Sequence, residues 1–279
     1  MKRIIGLATV LILLLCFCAC GNDDNVETIP APTTSVLNLM PDGSIIVGEL
    51  PSQQVNAAAT PAQPTVAQEA TTAEVQIDWM ADIYNTVYNN TKADGTFLGS
   101  DSIVISDITV DGVKNSAVDE IVHSVMDSIY KPQTLPLPPY SEENPFPTNT
   151  LAVADIDHAE WKDLGNGQAE LIVYPKQSVN STLGEGQGKM FNVINDIGAI
   201  FDYLPGFTYG WSEGDTDSNV NTTYDGGYAK IVYDRVSMRM ISAEYVMKLR
   251  IDITNFEILF ASHNVSVSMT YTQTFPAVG

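Results

Sequence analysis

The sequence predicts an α+β domain over residues 77–279: a curved antiparallel sheet with about three helices packed on one face. Three observations carry this. Ile241, Ala243, Tyr245, Met247, Leu249, Ile251 and Ile253 alternate with Ser242, Glu244, Lys248, Arg250 and Asp252, the period-two pattern of a strand with one buried and one wet face. At about 3.3 Å per residue such a strand spans roughly 40 Å, so the sheet must bend. Apolar residues recur at helical spacing in three other stretches, and Gly, Asn, Asp and Pro punctuate the chain between them.

Taken in order, the chain opens on Lys2 and Arg3, an apolar run from Ile4 to Leu15, and Phe17-Cys18-Ala19-Cys20-Gly21. This resembles the signal and lipobox of bacterial lipoproteins, with the mild departure of Phe17 where leucine is usual. The resemblance implies that residues 1–19 are removed as a signal peptide and that Cys20 takes a diacylglycerol and becomes the new N-terminus. Cys20 alone of the three cysteines follows a small residue, Ala19. The apolar run is short for a membrane span, and Asn22-Asp23-Asp24 follows at once. The expected location is the extracytoplasmic face of the cell membrane, held by lipid.

Residues 20–76 read as the lipidated N-terminus and a tether. Ala, Thr, Pro, Gln and Val dominate, as in Ala57 to Thr72, too few large apolar side chains to pack. As a random coil it would reach on the order of 40 Å. Leu37 to Met40, Pro41-Asp42-Gly43 and Ile45 to Val47 form a short hairpin signal. It is either an isolated hairpin or a docking strand added to the domain or to a partner, since two strands alone are marginal in water.

Within the domain, Trp79, Met80, Ile83, Tyr84, Val87 and Tyr88 give a first helix ending at Asp94-Gly95. Ile103 to Val110 reads as a strand with Val104, Ile108 and Val110 on one face. Ser116 N-caps a second helix carrying Val118, Ile121, Val122, Val125 and Ile129. Pro132 to Pro147 reads as an ordered surface loop, its PxxP spacing notwithstanding. Leu151 to Ile156 and Ala169 to Tyr174 read as strands joined through Gly165-Asn166-Gly167, and a third helix runs from about Met190 to Leu204. Asn221 to Tyr224 and Tyr228 to Tyr233 read as a hairpin across Asp225-Gly226-Gly227. The pattern of the long strand resumes from Val265 after a turn at Ser262-His263-Asn264.

The succession Tyr84-Asn85 through Lys92, Gly167 to Val173, Gly188 to Ile194, Tyr224 to Tyr228, Ile241 to Tyr245 and Val265 to Tyr271 resembles an uncharacterised family of surface lipoproteins from Gram-positive gut bacteria, with a departure at Arg235-Val236-Ser237, where that family usually carries a Thr-Gly pair. The likeness spans roughly residues 77–276 and implies a single exported domain at the cell surface. It supplies no functional residue.

Composition narrows the chemistry. Without Lys2 and Arg3, 11 basic residues face 34 acidic ones, a formal charge of −23. Nucleic acid is excluded as a partner, because such a surface gains nothing from counterion release, while weak Ca²⁺ or a cationic partner stays open. Cys16 and Cys18 leave with the signal and acylation occupies Cys20, so the exported domain has no disulfide, thiolate nucleophile or zinc–cysteine site.

Four motifs invite chemistry and are discounted. Gly210-Trp211-Ser212-Glu213-Gly214 has the spacing of a nucleophile elbow, with Asp225, Asp234 or Asp252 and then His263 in a suitable order. The preceding strand is short and no helix is expected from Asp215 to Gly227. Gly184 to Lys189 departs from the P-loop at Leu183 and Met190 and reads as a helix-entry loop. Asp215, Asp217 and Asn219 have the spacing of a Ca²⁺ loop, but Val220 and Gly226 stand where its glycine and glutamate belong. They remain weak metal candidates. His123, His158 and His263 carry no metal pattern, and His158 among Asp155, Asp157 and Glu160 reads as a solvated face. The aromatic residues are scattered, which speaks for packing before carbohydrate stacking.

The expectation is therefore a non-catalytic, lipid-anchored binding or structural module with no cofactor beyond its lipid. The first reading is apolar-ligand handling on the concave face. The second is a scaffold or adhesin meeting a protein or glycan through the proline loop or a sheet edge. A serine hydrolase using Ser212 ranks last.

Overall fold

The computed structural model describes residues 45–47, 72–92, 97–114, 132–140, 150–194, 209–258 and 261–277. In chain order these form β1 (Ile45–Val47), α1 (Thr72–Lys92), β2 (Leu98–Val110), β3 (Val113–Lys114), β4 (Thr134–Pro136), β5 (Ile156–Gly165), β6 (Gln168–Pro175), β7 (Ser178–Val179), β8 (Tyr209–Trp211), α2 (Thr216–Asn219), β9 (Val220–Tyr224), β10 (Tyr228–Asp234), β11 (Arg239–Ile258) and β12 (Ala261–Phe275). Short 3-10 turns occupy Val153–Asp155 and Gly186–Lys189. The protein is sheet-dominated, and every described strand pairing is antiparallel.

All strands join one sheet in the order β1-β5-β6-β10-β11-β12-β2-β3, with β4 on β2 and β7 on β9. The 20-residue β11 is its spine. One edge of β11 pairs with β12 from Ala243↔Phe275 to Ile258↔Ala261. Its other edge takes β10, β9 and β8 in series. The alternation expected for β11 holds: Ala243, Tyr245, Met247, Leu249, Ile251 and Ile253 are buried, as are Val265, Val267, Met269, Tyr271 and Phe275 beside them. Removing such side chains from water is worth roughly 1.5–3 kcal/mol each.

Helix α1 covers part of this buried face. Met80, Ile83, Tyr84, Val87 and Tyr88 are its packed stripe. Asn90 Nδ2 donates to the Met238 carbonyl at 3.2 Å, and the Met240 N–H donates to Thr91 Oγ1 at 2.8 Å. Trp79, half-exposed, meets Trp161 of β5 edge-on at 5.6 Å.

Several expectations are corrected. The second helix, over 116–130, lies outside the described residues, as does the third beyond Ile194. Residues 190–194 are not helical. Their groups serve other partners: the Ile194 N–H donates to Tyr224 Oη at 2.9 Å, and Asn192 Oδ1 accepts from the Tyr140 N–H at 2.8 Å. Gly184 to Lys189 thus ends in a single 3-10 turn and does not enter a helix.

Residues 221–224 and 228–233 do not face each other as a hairpin. They lie end to end along β11, because that strand is long enough to serve both. In β2 the register shifts at Ser106, which stands opposite no residue of β12. The bulge reverses the phase, so Ile105 and Ile108 are buried while Val104 is 58% exposed on the other face. The first strand of the Gly165-Asn166-Gly167 hairpin starts at Ile156, the residue at which the sequence pattern ends it. Ser262 to Asn264 belong to β12 and form no turn, and residues 259–260 between β11 and β12 lie outside the described residues.

The proline passage is not a surface loop throughout. Thr134–Pro136 pairs with β2, and Leu137, Pro138 and Pro139 are buried. In the N-terminal segment, Ile45–Val47 adds a strand to the domain, pairing with Ala159 to Trp161 at the β5 edge. The other arm of that expected hairpin, 37–40, lies outside the described residues. No described helix is long and apolar enough to cross a membrane.

Candidate functional site

Strand alternation puts Tyr174 and Tyr228 opposite to the buried Val173 and Ala229, on the open face of the sheet. The register then lines up residues that are far apart in sequence. His158 pairs with Tyr174, Tyr174 neighbours Tyr228, Tyr228 pairs with Val246, and Val246 pairs with Thr272. One row therefore crosses β5, β6, β10, β11 and β12. The His158 and Tyr174 rings stack at 4.0 Å and 13°. Tyr174 and Tyr228 are 5.9 Å apart and tilted by 49°, too far and too inclined to cover each other's faces.

The neighbouring row runs Glu160, Ile172, Lys230, Glu244. Glu244 accepts from Tyr228 Oη, and this bond to a carboxylate, with some burial, pushes the phenol up to about 12. Burial and then the charge and hydrogen bond of Glu160 raise Tyr174 in the same way. Lys230 pairs with Glu170 at 2.9 Å. Glu160 and Glu244 thus hold phenols rather than cations. Ser100, Ser102 and Val104 of β2 extend this face and are exposed.

Of the sequence-predicted catalytic candidates only Ser212 and His263 lie at the far end of β11 and β12, and they form no triad. Ser212 Oγ lies 2.8 Å from Ser262 Oγ, and the Ser212 N–H donates to the Asn255 carbonyl at 2.9 Å. His263 follows Ser262 in β12 and so points to the opposite face. Its acid partner is none of Asp225, Asp234 and Asp252. Asp111 takes that place, with Oδ2 2.9 Å from His263 Nδ1 and Oδ1 accepting from the Asn264 N–H at 2.8 Å. Burial opposes ionisation of Asp111, but these bonds and the histidine hold its carboxyl below the usual range. His263 Nε2 is buried and meets no hydrogen-bond partner. The segment after Ser212 does contain a helix, the single turn α2, yet it starts four residues on and is too short to serve an elbow.

Two of the three metal candidates, Asp215 and Asn219, serve this turn as structural groups. Asp215 caps α2, accepting from the Ser218 N–H and hydroxyl at 3.0 and 2.7 Å, and these bonds lower its carboxyl. Asn219 is buried and donates to the Glu213 and Asp215 carbonyls at 2.6 and 2.8 Å, while its Oδ1 accepts from Asn255 Nδ2 at 2.9 Å. Asp217 is exposed to solvent. Among the described residues no group of three or more His, Cys, Asp or Glu is gathered for a metal.

A polar chain also crosses the core, unannounced by any motif. Tyr84 Oη donates to Tyr245 Oη at 3.3 Å, and Tyr84 stacks on Tyr88. Lys92 Nζ binds Tyr88 Oη and, at 2.9 Å, the Pro139 carbonyl. The next residue, Tyr140, binds Asn192, whose Nδ2 donates to Gln273 Oε1 at 3.4 Å. Lys92 is 5% exposed, and burial pulls its ammonium down to about 7.

Cys20 and His123 lie outside the described residues. Sequence reasoning missed Tyr174, Tyr228, Glu160 and Glu244 as a group. The available signal was two aromatic residues in the polar phase of their strands. No protein-family model, no curated protein and no solved structure matches the chain.

Proposed function

We propose that the protein is a lipid-anchored surface module on the extracytoplasmic face of the membrane, held by diacylglycerol on Cys20, and that it contacts another protein through the open face of its sheet. The carrying observation is the row from His158 to Thr272, which crosses five strands with the buried Val246 between its rings and hydroxyls, together with the charged row Glu160–Ile172–Lys230–Glu244 beside it. The chain's resemblance to surface lipoproteins supports the location, and its acidic character supports a partner that is not an anionic polymer. The second and third helices expected from the sequence belong to the same proposal: laid on the buried face beside α1, they would leave the open face free. The apolar-ligand reading needs an uncovered apolar face. In the described residues that face carries α1 and the proline loop, with Tyr84, Val87 and Tyr88 fully buried.

Two measurements test this. Feeding cells an alkyne-tagged fatty acid should label the full chain, and Cys20→Ala should abolish the label and release the protein from membranes. For the open face, Thr272→Arg should reduce retention of the mature chain on immobilised surface proteins about tenfold, whereas Val236→Arg in the exposed β10–β11 turn should not. Retention on cell-wall glycan instead would reassign the partner, and equal behaviour of both variants would remove the face from the function.

A further inference from the structure

The open face narrows its partner further, and this step rests on the protein-contact reading above. Glu160 and Glu244 lie in one cross-strand row, separated by Ile172 and Lys230. Lys230 is committed to Glu170. Beside that row stand Tyr174 and Tyr228, whose hydroxyls are turned to the two glutamates. The result is two phenol–carboxylate pairs, all four side chains half-buried, on neighbouring parts of the same face. His158 covers one face of Tyr174, while at 5.9 Å and 49° Tyr174 and Tyr228, both half-buried, do not cover each other's faces.

An aromatic face attracts a cation through its quadrupole, and a carboxylate at its edge adds charge. Anionic groups would be repelled here, and aliphatic groups would gain nothing from the carboxylates. A small free cation would gain little as well, because an open face does not strip its water, whereas a chain crossing several strands can place successive cations at both pairs. The protein carries 34 acidic against 13 basic residues, which favours the approach of such a chain over long range.

We infer that the Tyr174–Tyr228–Glu160–Glu244 surface binds lysine side chains of a basic polypeptide segment, their ammonium groups held between ring faces and carboxylates. Lysine suits the site better than arginine because the carboxylates are already singly engaged by phenols and offer no free bidentate edge.

The probe is an oligolysine peptide, titrated against the mature chain at physiological salt. General acidity alone would draw such a peptide, so the comparison is between two charge-matched variants. Glu160→Gln/Glu244→Gln should weaken binding about tenfold, and Glu213→Gln/Asp217→Asn, at the far end of the sheet, should leave it within twofold. Tyr228→Leu should weaken binding several-fold while Tyr228→Phe keeps most of it, and trimethylated lysines should still bind. Equal weakening by both charge-matched pairs overturns the inference, as diffuse attraction then explains the binding. So does an absence of oligolysine binding. If Thr272→Arg still loses its surface partner in that case, the contact face stands and only its ligand class falls.

Discussion

Gly188→Ala is expected to destabilise the protein by about 2–4 kcal/mol, the range of a forced rearrangement in a packed region. A methyl group at this position would sit 2.0 Å from the Thr182 carbonyl oxygen and 3.0 Å from Val193 Cγ2. The first contact is backbone and cannot swing away as a side-chain tip does. Thr182 is in turn fixed, because its carbonyl accepts from the Glu185 N–H at 3.0 Å and the Glu185 carbonyl accepts from the Gly188 N–H at 2.8 Å. Moving the turn outward would also drag Gln187 out of the core, where its Nε2 donates to the Lys176 and Tyr224 carbonyls at 3.0 and 3.1 Å. On the other side it would strain the Lys189–Asp155 pair, closed at 2.7 and 2.9 Å. Gly184→Ala is the control. Its methyl meets nothing within 4 Å, so only the positive φ of +89° opposes it, costing about 1 kcal/mol. Thermal melts of both variants decide the matter. A Gly188→Ala protein within about 0.5 kcal/mol of the parent would show that the 182–190 turn is not anchored as described.

The second large effect is a rise of stability with pH. Lys92 has an ordinary value of 10.5 in the unfolded chain and about 7 when folded, because burial disfavours its charge. Between these values the unfolded chain binds a proton that the folded protein has released. Stability therefore increases with pH across this window, by up to about 1.4 kcal/mol per pH unit. The expected gain from pH 7 to pH 9 is on the order of 2 kcal/mol. Below pH 7 both states are protonated and this contribution is flat. Above pH 10 the sign reverses. Tyr84, Tyr88 and Tyr245 are raised by burial, and Tyr140 is pushed up to about 12 by burial and the charge of Asp101. The folded protein then keeps protons that the unfolded chain loses. A stability maximum near pH 9 to 10 follows. Lys92→Met should remove the slope between pH 7 and 9 while keeping the decline above 10, and an unchanged slope in that variant would place its origin elsewhere.

Much of the sheet could be read from the sequence because strand alternation is a local property. The phase of β11 and β12 follows from one residue type at every second position, and no distant contact is needed to see it. The errors share a different cause. Asp225-Gly226-Gly227 is a turn signal whether the flanking strands pair with each other or line up along a third. The length of β11 decides between these, together with the close approach of Gly227 to the Val246 carbonyl, where a methyl group would stand at 2.5 Å. Alternation places Val104 on the buried face only if the strand is unbroken, and the Ser106 bulge breaks it.

The candidate site was less legible. Tyr174 and Tyr228 are each recognisable as aromatic residues in a polar phase, but their alignment depends on the pairing of three strands. The acid that holds His263 is 152 residues away, in the turn between β2 and β3. Proximity in sequence offered Asp225, Asp234 and Asp252 instead. The Pro139 carbonyl is held by Lys92 at the end of α1, and no local pattern in the proline passage reports that contact.

Strand β1 also gives the proposed anchor a mechanical character. Its three residues are fastened to β5, so a pull on a lipidated Cys20 reaches the fold at Ile45 before it reaches α1 at Thr72. Three pairs at a sheet edge, loaded from one end, come apart in succession, well before the long β11–β12 seam is stressed. Once β1 is released, 24 residues separate Val47 from Thr72, a covalent length of at most about 80 Å. The domain could thus yield to shear at the cell surface by paying out slack, keep its sheet intact, and wind back in when β1 pairs again.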